Sequence, residues 1–350
     1  MKVIIIYTMP WGEHCSMRWL HEELSKKYDC EIVAPSEDWC LFGDESAKGK
    51  IARNVWFFGL AVRAAYKAKP DDIIVASPRN IGLFTLALAR GGVTVVSLGW
   101  YTPSRSEFFY RCACKALERD NFWAGVNSPT TKIQFGEVYG VEDLSRVFWI
   151  PDIPWTGVPE FREKRPSDRR YCFTGGVSNR DWPLVVKAAH RRENLAFECV
   201  ATFDDWAAKT DSLEIPRNVT ARSWTDEYDE LLSGAHCMLL PLYDDRVAGL
   251  TDIIKAICMG VIPVVSRNAA MEQYLPEDLR DTLQFEVGDV ADMLVKLDAV
   301  WELDEEEYAA IVGRLQARMA ANFTSKQATA CIEEVIQKAA AQPVDAMTVS

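Results

Sequence analysis

Apolar residues fall in short unbroken runs, set between longer stretches where they recur every three or four positions. The runs read as strands buried on both faces and the spaced stretches as helices with one apolar side. In the first half this predicts strands at 3–7, 30–34, 73–76, 93–98, 123–126 and 146–150. Helices are predicted between them at 16–27, 51–67, 82–90 and 106–119. Strands separated by helices mean parallel βαβ units. Residues 151–170 break the pattern with four prolines and a charged run from Glu160 to Arg170, the composition of a linker. The alternation then restarts, with strands at 171–174, 197–202, 219–221, 237–240 and 262–265. Its helices are predicted at 183–190, 228–234, 252–259, 290–301, 304–322 and 326–340. The fold class is therefore α/β, with two Rossmann-like parallel-sheet domains facing each other across a cleft. The first spans 1–158, a linker 159–170, the second 171–325, and a helix and tail at 326–350 pack back on the first domain.

The stretch 237–265 carries the densest chemistry. A buried strand breaks at Pro241 into a polar loop from Tyr243 to Arg246. Gly249 and Thr251 follow, and Thr251 is expected to cap the helix at 252–259, which Gly260 ends at its C′ position. The open end of that helix, with Gly249 before it, points backbone N–H groups into a crevice, an arrangement that binds phosphate. Ligands of such sheets lie beyond the carboxyl ends of the strands, which puts the site in the cleft.

Other residues admit two readings each. Gly175 and Gly176 follow a strand and precede Arg180. They make a tight turn, or they admit a diphosphate to the forked Arg180 guanidinium. Lys255, one helical turn beyond Thr251, reaches the ligand or pairs with Asp252. Trp224, just past a strand, stacks on a base or packs in the core. Glu13 and His14 follow the first strand at the mouth of the cleft and are general-base candidates. In the plainer reading Glu13 favours a helix N-terminus and His14 is a polar loop residue. Residues 104–123 mix Phe108, Phe109 and Tyr110 with Arg105, Arg111, Lys115 and Arg119. That mixture suits a membrane surface holding a lipid-linked acceptor, or an amphipathic core helix.

Composition narrows the classes. A chain of 350 residues calls for two domains, and a formal net charge of −12 excludes nucleic acid as a partner. Twelve Trp suit stacking on sugars or bases. No stretch reaches the ~18 apolar residues of a membrane span. The first strand is too short for a signal peptide before Pro10 and Glu13. The ten Cys are scattered, with Cys112 and Cys114 the only close pair, and no zinc spacing appears. They read as buried thiols of a cytoplasmic protein.

Three pieces in order carry a resemblance: Phe173-Thr-Gly-Gly-Val-Ser-Asn-Arg-Asp-Trp182, Leu240-Pro-Leu242, and Lys255-Ala-Ile-Cys-Met-Gly-Val-Ile-Pro-Val-Val265. With them the second half resembles the donor domain of GT-B nucleotide-sugar glycosyltransferases, above all the retaining group 1. Trp149-Ile-Pro-Asp152 fits the crossing between domains; the first half is similar in architecture only. The resemblance implies sugar transfer from a nucleotide-sugar donor, a UDP-sugar first, in glycan, glycoconjugate or polysaccharide biosynthesis. The acceptor would be a sugar, a lipid-linked molecule or a small molecule, and no metal or cofactor is implied. Donor binding falls to Gly175, Gly176, Arg180, Trp224, Gly249, Leu250, Thr251 and Lys255, with Glu13 and His14 as catalytic candidates. There are departures. Lys255 stands where the family has a ribose-binding Glu, and Lys can only donate. The family's other Glu falls at Val247, with Asp244 and Asp245 close but out of register. Gly99-Trp100-Tyr101 stands where the family often has His. A retaining course is set ahead of an inverting one. A non-catalytic binding protein and a sugar-nucleotide epimerase are the alternatives. Peripheral contact with the inner face of a membrane is compatible with all three.

Overall fold

The computed structural model describes residues 1–8, 17–36, 46–100, 107–153, 160–163, 170–176, 179–244 and 248–341. The chain divides into two units, Met1–Gly157 with Ser325–Ser350, and Val158–Thr324.

In the first unit β1 (Val3–Ile6), α1 (Arg18–Leu24), β2 (Cys30–Val33), α2 (Ala47–Lys67), β3 (Ile73–Ala76) and α3 (Arg79–Leu88) alternate. The series continues with β4 (Thr94–Ser97), α4 (Glu107–Leu117), β5 (Phe122–Val126), α5 (Pro129–Tyr139) and β6 (Val147–Trp149). Every pairing is parallel and the sheet order is β2-β1-β3-β4-β5-β6. Val3, Ile4, Ile5 and Ile6 are all buried, because both faces of the sheet are covered by helices.

The second unit contains β7 (Tyr171–Gly175), α6 (Trp182–Arg191), β8 (Ala196–Ala201), α7 (Phe203–Thr210), β9 (Val219–Ser223), α8 (Tyr228–Gly234) and β10 (Cys237–Leu240). After it come α9 (Leu250–Cys258), β11 (Ile262–Ser266), α10 (Ala269–Glu272), α11 (Arg280–Leu283), β12 (Gln284–Phe285), α12 (Val290–Trp301) and α13 (Glu305–Asn322). This sheet is also parallel, in the order β12-β11-β10-β7-β8-β9. A capping box opens α13, with Asp304 and Glu307 each accepting from the other's backbone.

The last helix, α14 (Ser325–Ala341), belongs to the first unit. Its Ile332, Val335 and Ile336 enter the core formed by Val3, Leu20 and Leu24. Lys27 pairs with its Glu333 at 2.7 Å. Among the described residues no helix is long and apolar enough to cross a membrane.

The sequence reading lacked α5 and α7, and in the second unit the short α10, α11 and β12. Ser128 caps α5 by accepting from the Thr131 N–H, Pro129 opens the helix, and Gly140 at φ 65 ends it. Those are ordinary start and stop signals, but apolar residues lie on both sides of the helix, with Phe135 and Tyr139 buried and Ile133 and Val138 exposed, so its spacing shows no apolar face.

Candidate functional site

β7 and β10 are neighbours in the second sheet, and the chain order reverses between them. The connections that follow two such strands leave toward opposite faces, which opens a crevice at their carboxyl ends. β7 ends on Gly175 and the loop after it begins with Gly176; the loop after β10 leads to Gly249 and α9.

Three glycines there allow backbone to approach side chains closely. A Cβ on Gly175 would lie 2.6 Å from the Tyr228 ring. Gly176 has φ +126, and a Cβ on it would lie 2.3 Å from Arg180 Nη2. Gly249, at φ +76, is the N-cap of α9, and its Cβ would lie 2.9 Å from Leu240 and 3.1 Å from Arg180 Nη2. Gly249 has no side chain to cap α9 and no other described residue caps it, so among the described residues its positive end is left to its backbone N–H groups.

Arg180 lies among these glycines with 1% exposure. Its Nε donates to the Gly175 carbonyl at 2.7 Å, and its Nη2 donates to Asp252 Oδ2 at 2.6 Å. Asp252 sits in the first turn of α9, where the helix dipole favours a carboxylate, and its Oδ1 accepts from the Tyr228 hydroxyl at 2.8 Å. The guanidinium therefore ties the turn after β7 to the start of α9. A charge withdrawn from water this far is stable only with such partners. Burial and the Asp252 carboxylate push the Tyr228 hydroxyl well above its ordinary range.

The same two loops are joined on a second line. Arg180 bridges to Leu242, and the Asp181 N–H donates to the Pro241 carbonyl at 3.1 Å. Asn179, at φ 56, donates from Nδ2 to Asp244 Oδ1 at 3.0 Å. Lys209 Nζ donates to the Arg180 carbonyl at 3.1 Å. Beside the crevice, Trp224 stacks on Tyr228 with ring centroids 4.9 Å apart and planes 29° apart. Lys255 Nζ lies 5.7 Å from the Tyr228 ring centroid and pairs with Asp229 at 2.7 Å.

The structure thus places Gly175 at the end of β7, Gly176 and Arg180 between β7 and α6, Gly249 just before α9, and Leu250 and Thr251 in the first turn of α9, with Trp224 and Lys255 alongside. Four local expectations change. Thr251 does not cap the helix: α9 begins at Leu250, because left-handed Gly249 makes the turn that a capping side chain would otherwise hold. Arg180, read as a guanidinium offered to a diphosphate, is turned inward onto Asp252. Lys255 pairs with Asp229, since Asp252 is already taken by Arg180 and Tyr228. Trp224 is 55% exposed and packs on one ring instead of entering the core. Leu250 is buried, so only its backbone remains for a ligand. Glu13 and His14 lie outside the described residues, as do Asp245 and Val247. Tyr228 and Asn179 went unnoticed as site residues in the sequence, and Asp252 was weighed as a partner for Lys255 only, not for Arg180 and Tyr228. The four-residue step from Trp224 to Tyr228, entering α8, was the signal available for Tyr228.

In the first unit a small cavity of about 60 Å³ lies at the carboxyl ends of β3 to β6, lined by Trp19, Ser77, Leu98, Gly125, Asn127 and Asp152. The buried Trp19 indole N–H has no acceptor among the described residues. A larger cavity of about 800 Å³ lies between Arg170, His236 and α13, at the amino ends of β7 and β10 and so at the opposite end of the sheet from the glycines. Among the described residues no group of three or more His, Cys, Asp or Glu could hold a metal ion.

Compared by sequence, the chain matches no protein-family model and no curated protein. Compared by structure, it is similar to Anabaena HepE, solved with UDP and glucose, at 12% identity and a TM-score of 0.65, covering 96% of this chain and 99% of that one. It is similar to WaaG, a glycosyltransferase involved in lipopolysaccharide biosynthesis, at 11% identity and a TM-score of 0.60, covering 97% and 100%. It is also similar to trehalose-6-phosphate synthase, at 8% identity and a TM-score of 0.68, covering 97% and 99%. Over nearly its whole length, then, the chain has the GT-B fold, built of two Rossmann-like parallel-sheet units.

Proposed function

We propose that this protein is a glycosyltransferase, moving a sugar from a nucleotide-sugar donor, a UDP-sugar first, to an acceptor in glycan or glycoconjugate biosynthesis. One observation carries the reading. The Gly175-Gly176 turn and the uncapped N-terminus of α9 meet at the strand-order reversal of the second unit. HepE, which shares the fold, was solved with UDP-glucose.

The diphosphate would lie against the backbone of Gly176, Gly249 and Thr251, with the helix N–H groups stabilising the charge that grows on the leaving group. In this scheme those groups do the work that a metal does in other transferases. Arg180 and Asp252 hold the two loops in register. Trp224 offers an exposed ring for the base. Lys255 would release Asp229 and donate to a ribose or diphosphate oxygen. The acceptor, a sugar or a small or lipid-linked molecule, falls to the first unit. In a retaining reaction its hydroxyl attacks on the face the diphosphate leaves. In an inverting one, Glu13 or His14 takes its proton on the opposite face. A second reading, binding of a nucleotide sugar without transfer, is favoured by Lys255 standing where the resembling family has Glu.

A thermal scan with UDP, GDP, ADP and dTDP, each with and without magnesium, tests the site. A ligand at a hundred times its Kd adds about 2.7 kcal/mol, several degrees for a unit of this size. No shift with any of the four at millimolar concentration refutes the donor site. Binding of UDP without even slow hydrolysis of any UDP-sugar leaves the second reading in place.

A further inference from the structure

The cavity of about 800 Å³ beside α13 lies at the opposite end of the second sheet from the glycines, and the donor-site reading makes no use of it. Its volume is that of a small-molecule pocket, which runs to about 300–1,000 Å³. One face of α13 lines it, with Glu305, Ala309, Gly313 and Gln316 recurring every three or four residues. Gly313 is the informative position. It stands inside an 18-residue helix, where Gly is less stable than Ala. Neither its φ nor its neighbours call for Gly, since a Cβ built on it meets nothing within 4 Å. What the missing side chain does is leave the hollow open. The walls are held in place by the protein itself. The Arg162 N–H donates to the Cys258 carbonyl at 2.7 Å and Gln316 Nε2 to the Arg162 carbonyl at 2.9 Å, which fixes Glu163 beside the helix. Arg170 lies 4.8 Å over the Trp301 ring and directs its Nη2 hydrogens to the Trp301 carbonyl and to His236 Nε2, 2.7 Å away.

The hydrogen-bonding groups left over define the ligand. Among the described residues the carboxylates of Glu163 and Glu305 have no hydrogen-bond or ion-pair partner, and Arg170 keeps its Nε and Nη1 hydrogens. Carboxylates only accept and a guanidinium only donates. An anion would be repelled by the two carboxylates, and an organic cation by Arg170. Among the described residues no group of side chains could hold a metal ion. A neutral molecule rich in hydroxyls satisfies all three residues, because each hydroxyl both donates and accepts. Ala309, Val312 and Gly313 line the hollow as well, and their apolar surface suits the C–H side of a sugar ring. We propose that this hollow binds a neutral saccharide, with Glu163 and Glu305 accepting from its hydroxyls, Arg170 donating to it and Gly313 making room for the ring. It is a second carbohydrate site, apart from the glycine-rich crevice, and does not depend on the donor-site reading.

Saturation-transfer difference NMR on the full chain is the test. The probes are glucose, galactose, N-acetylglucosamine, maltose and cellobiose, each at millimolar concentration, with UDP in excess to occupy the crevice. At least one sugar is expected to take up saturation from the protein. Gly313→Leu puts a side chain into the open space, so it should abolish that signal while melting at or above the parent. E163A/E305A changes two exposed positions, so its melting curve should match the parent. Its Kd for the sugar should rise at least about tenfold, a loss of about 1.4 kcal/mol. No signal from any of these sugars overturns the proposal. So does a signal that G313L and E163A/E305A leave unchanged, which would place the sugar elsewhere. Signals from putrescine or gluconate in place of the neutral sugars overturn it too, by giving the hollow to an ion. The donor-site reading survives each of these outcomes, because it rests on UDP binding at the glycines.

Discussion

Removing Arg180 tests what the arginine does. Its side chain is 2% exposed and that of Asp252 16%, at an N–O separation of 2.6 Å. Breaking a buried pair by removing one partner costs about 3–5 kcal/mol, because the other charge stays buried without compensation. Asp252 keeps some solvent and the Tyr228 hydroxyl, which puts Arg180→Met near the lower end, about 3 kcal/mol. At about 2–4 °C per kcal/mol for a unit of this size, the second unit should melt about 6–12 °C lower. Asp252→Asn takes away the carboxylate that Arg180 Nη2 meets and should cost a similar amount. The double variant R180M/D252N removes both charges yet keeps an acceptor for Tyr228. It should recover most of the loss, a coupling of about 2 kcal/mol or more. The assay is differential scanning calorimetry on the four proteins, with UDP titrated into each by isothermal calorimetry. If Arg180 is a strut, UDP affinity returns together with stability in the double variant. An R180M transition within a degree of the parent, or strictly additive losses, would refute the buried-pair argument. Recovered stability with UDP binding still lost would make Arg180 a donor ligand.

Two further outcomes follow from the same crevice. Trp224→Ala should leave the melting temperature almost unchanged, since the ring is exposed, while UDP affinity by titration calorimetry falls by the worth of one stacked base, about 1–3 kcal/mol; equal affinity would remove Trp224 from the site. Asp181 caps α6 by accepting from the Leu184 N–H at 3.0 Å, yet burial pushes its carboxyl above the usual range. Its folded pKa lies above its unfolded one, so stability from this group is greatest at low pH and declines as pH rises through the raised value. Asp181→Asn retains the cap, so it should melt at or above the parent at pH 7, with the gap closing as the pH approaches about 4. Melting curves in which the parent gains on the variant as pH rises would show Lys187 and Lys209 outweighing burial.

The sheets were legible because strands covered on both faces need apolar runs without polar interruption, and Val3–Ile6, Ile73–Ala76 and Cys237–Leu240 are such runs. The glycines after β7 and before α9 were legible for a related reason: a turn at the end of a buried strand has few residues to choose from. Partner choice was not. The carboxylate that meets Arg180 is 72 residues away, while the acid beside it in sequence, Asp181, is engaged in capping a helix. Once Arg180 takes Asp252, Lys255 must turn to Asp229. Thr251 has the right chemistry for a cap, but Gly249 reaches the left-handed turn at less steric cost and starts the helix earlier. Trp224 looked like a core residue because its size argues for burial, and only the position of Tyr228 shows where the ring rests.

Helix α14 completes the first unit with Ile332, Val335 and Ile336, after the whole second unit has been spelled out. On a ribosome that order matters. A nascent chain that has reached Thr324 already contains every strand of the second sheet. Its first sheet still lacks the helix that covers Val3, Leu20 and Leu24. Multidomain chains usually finish their N-terminal unit first during synthesis. Here the part translated first is the last that can close, and until residues 325–341 emerge its open apolar core is what a chaperone would find.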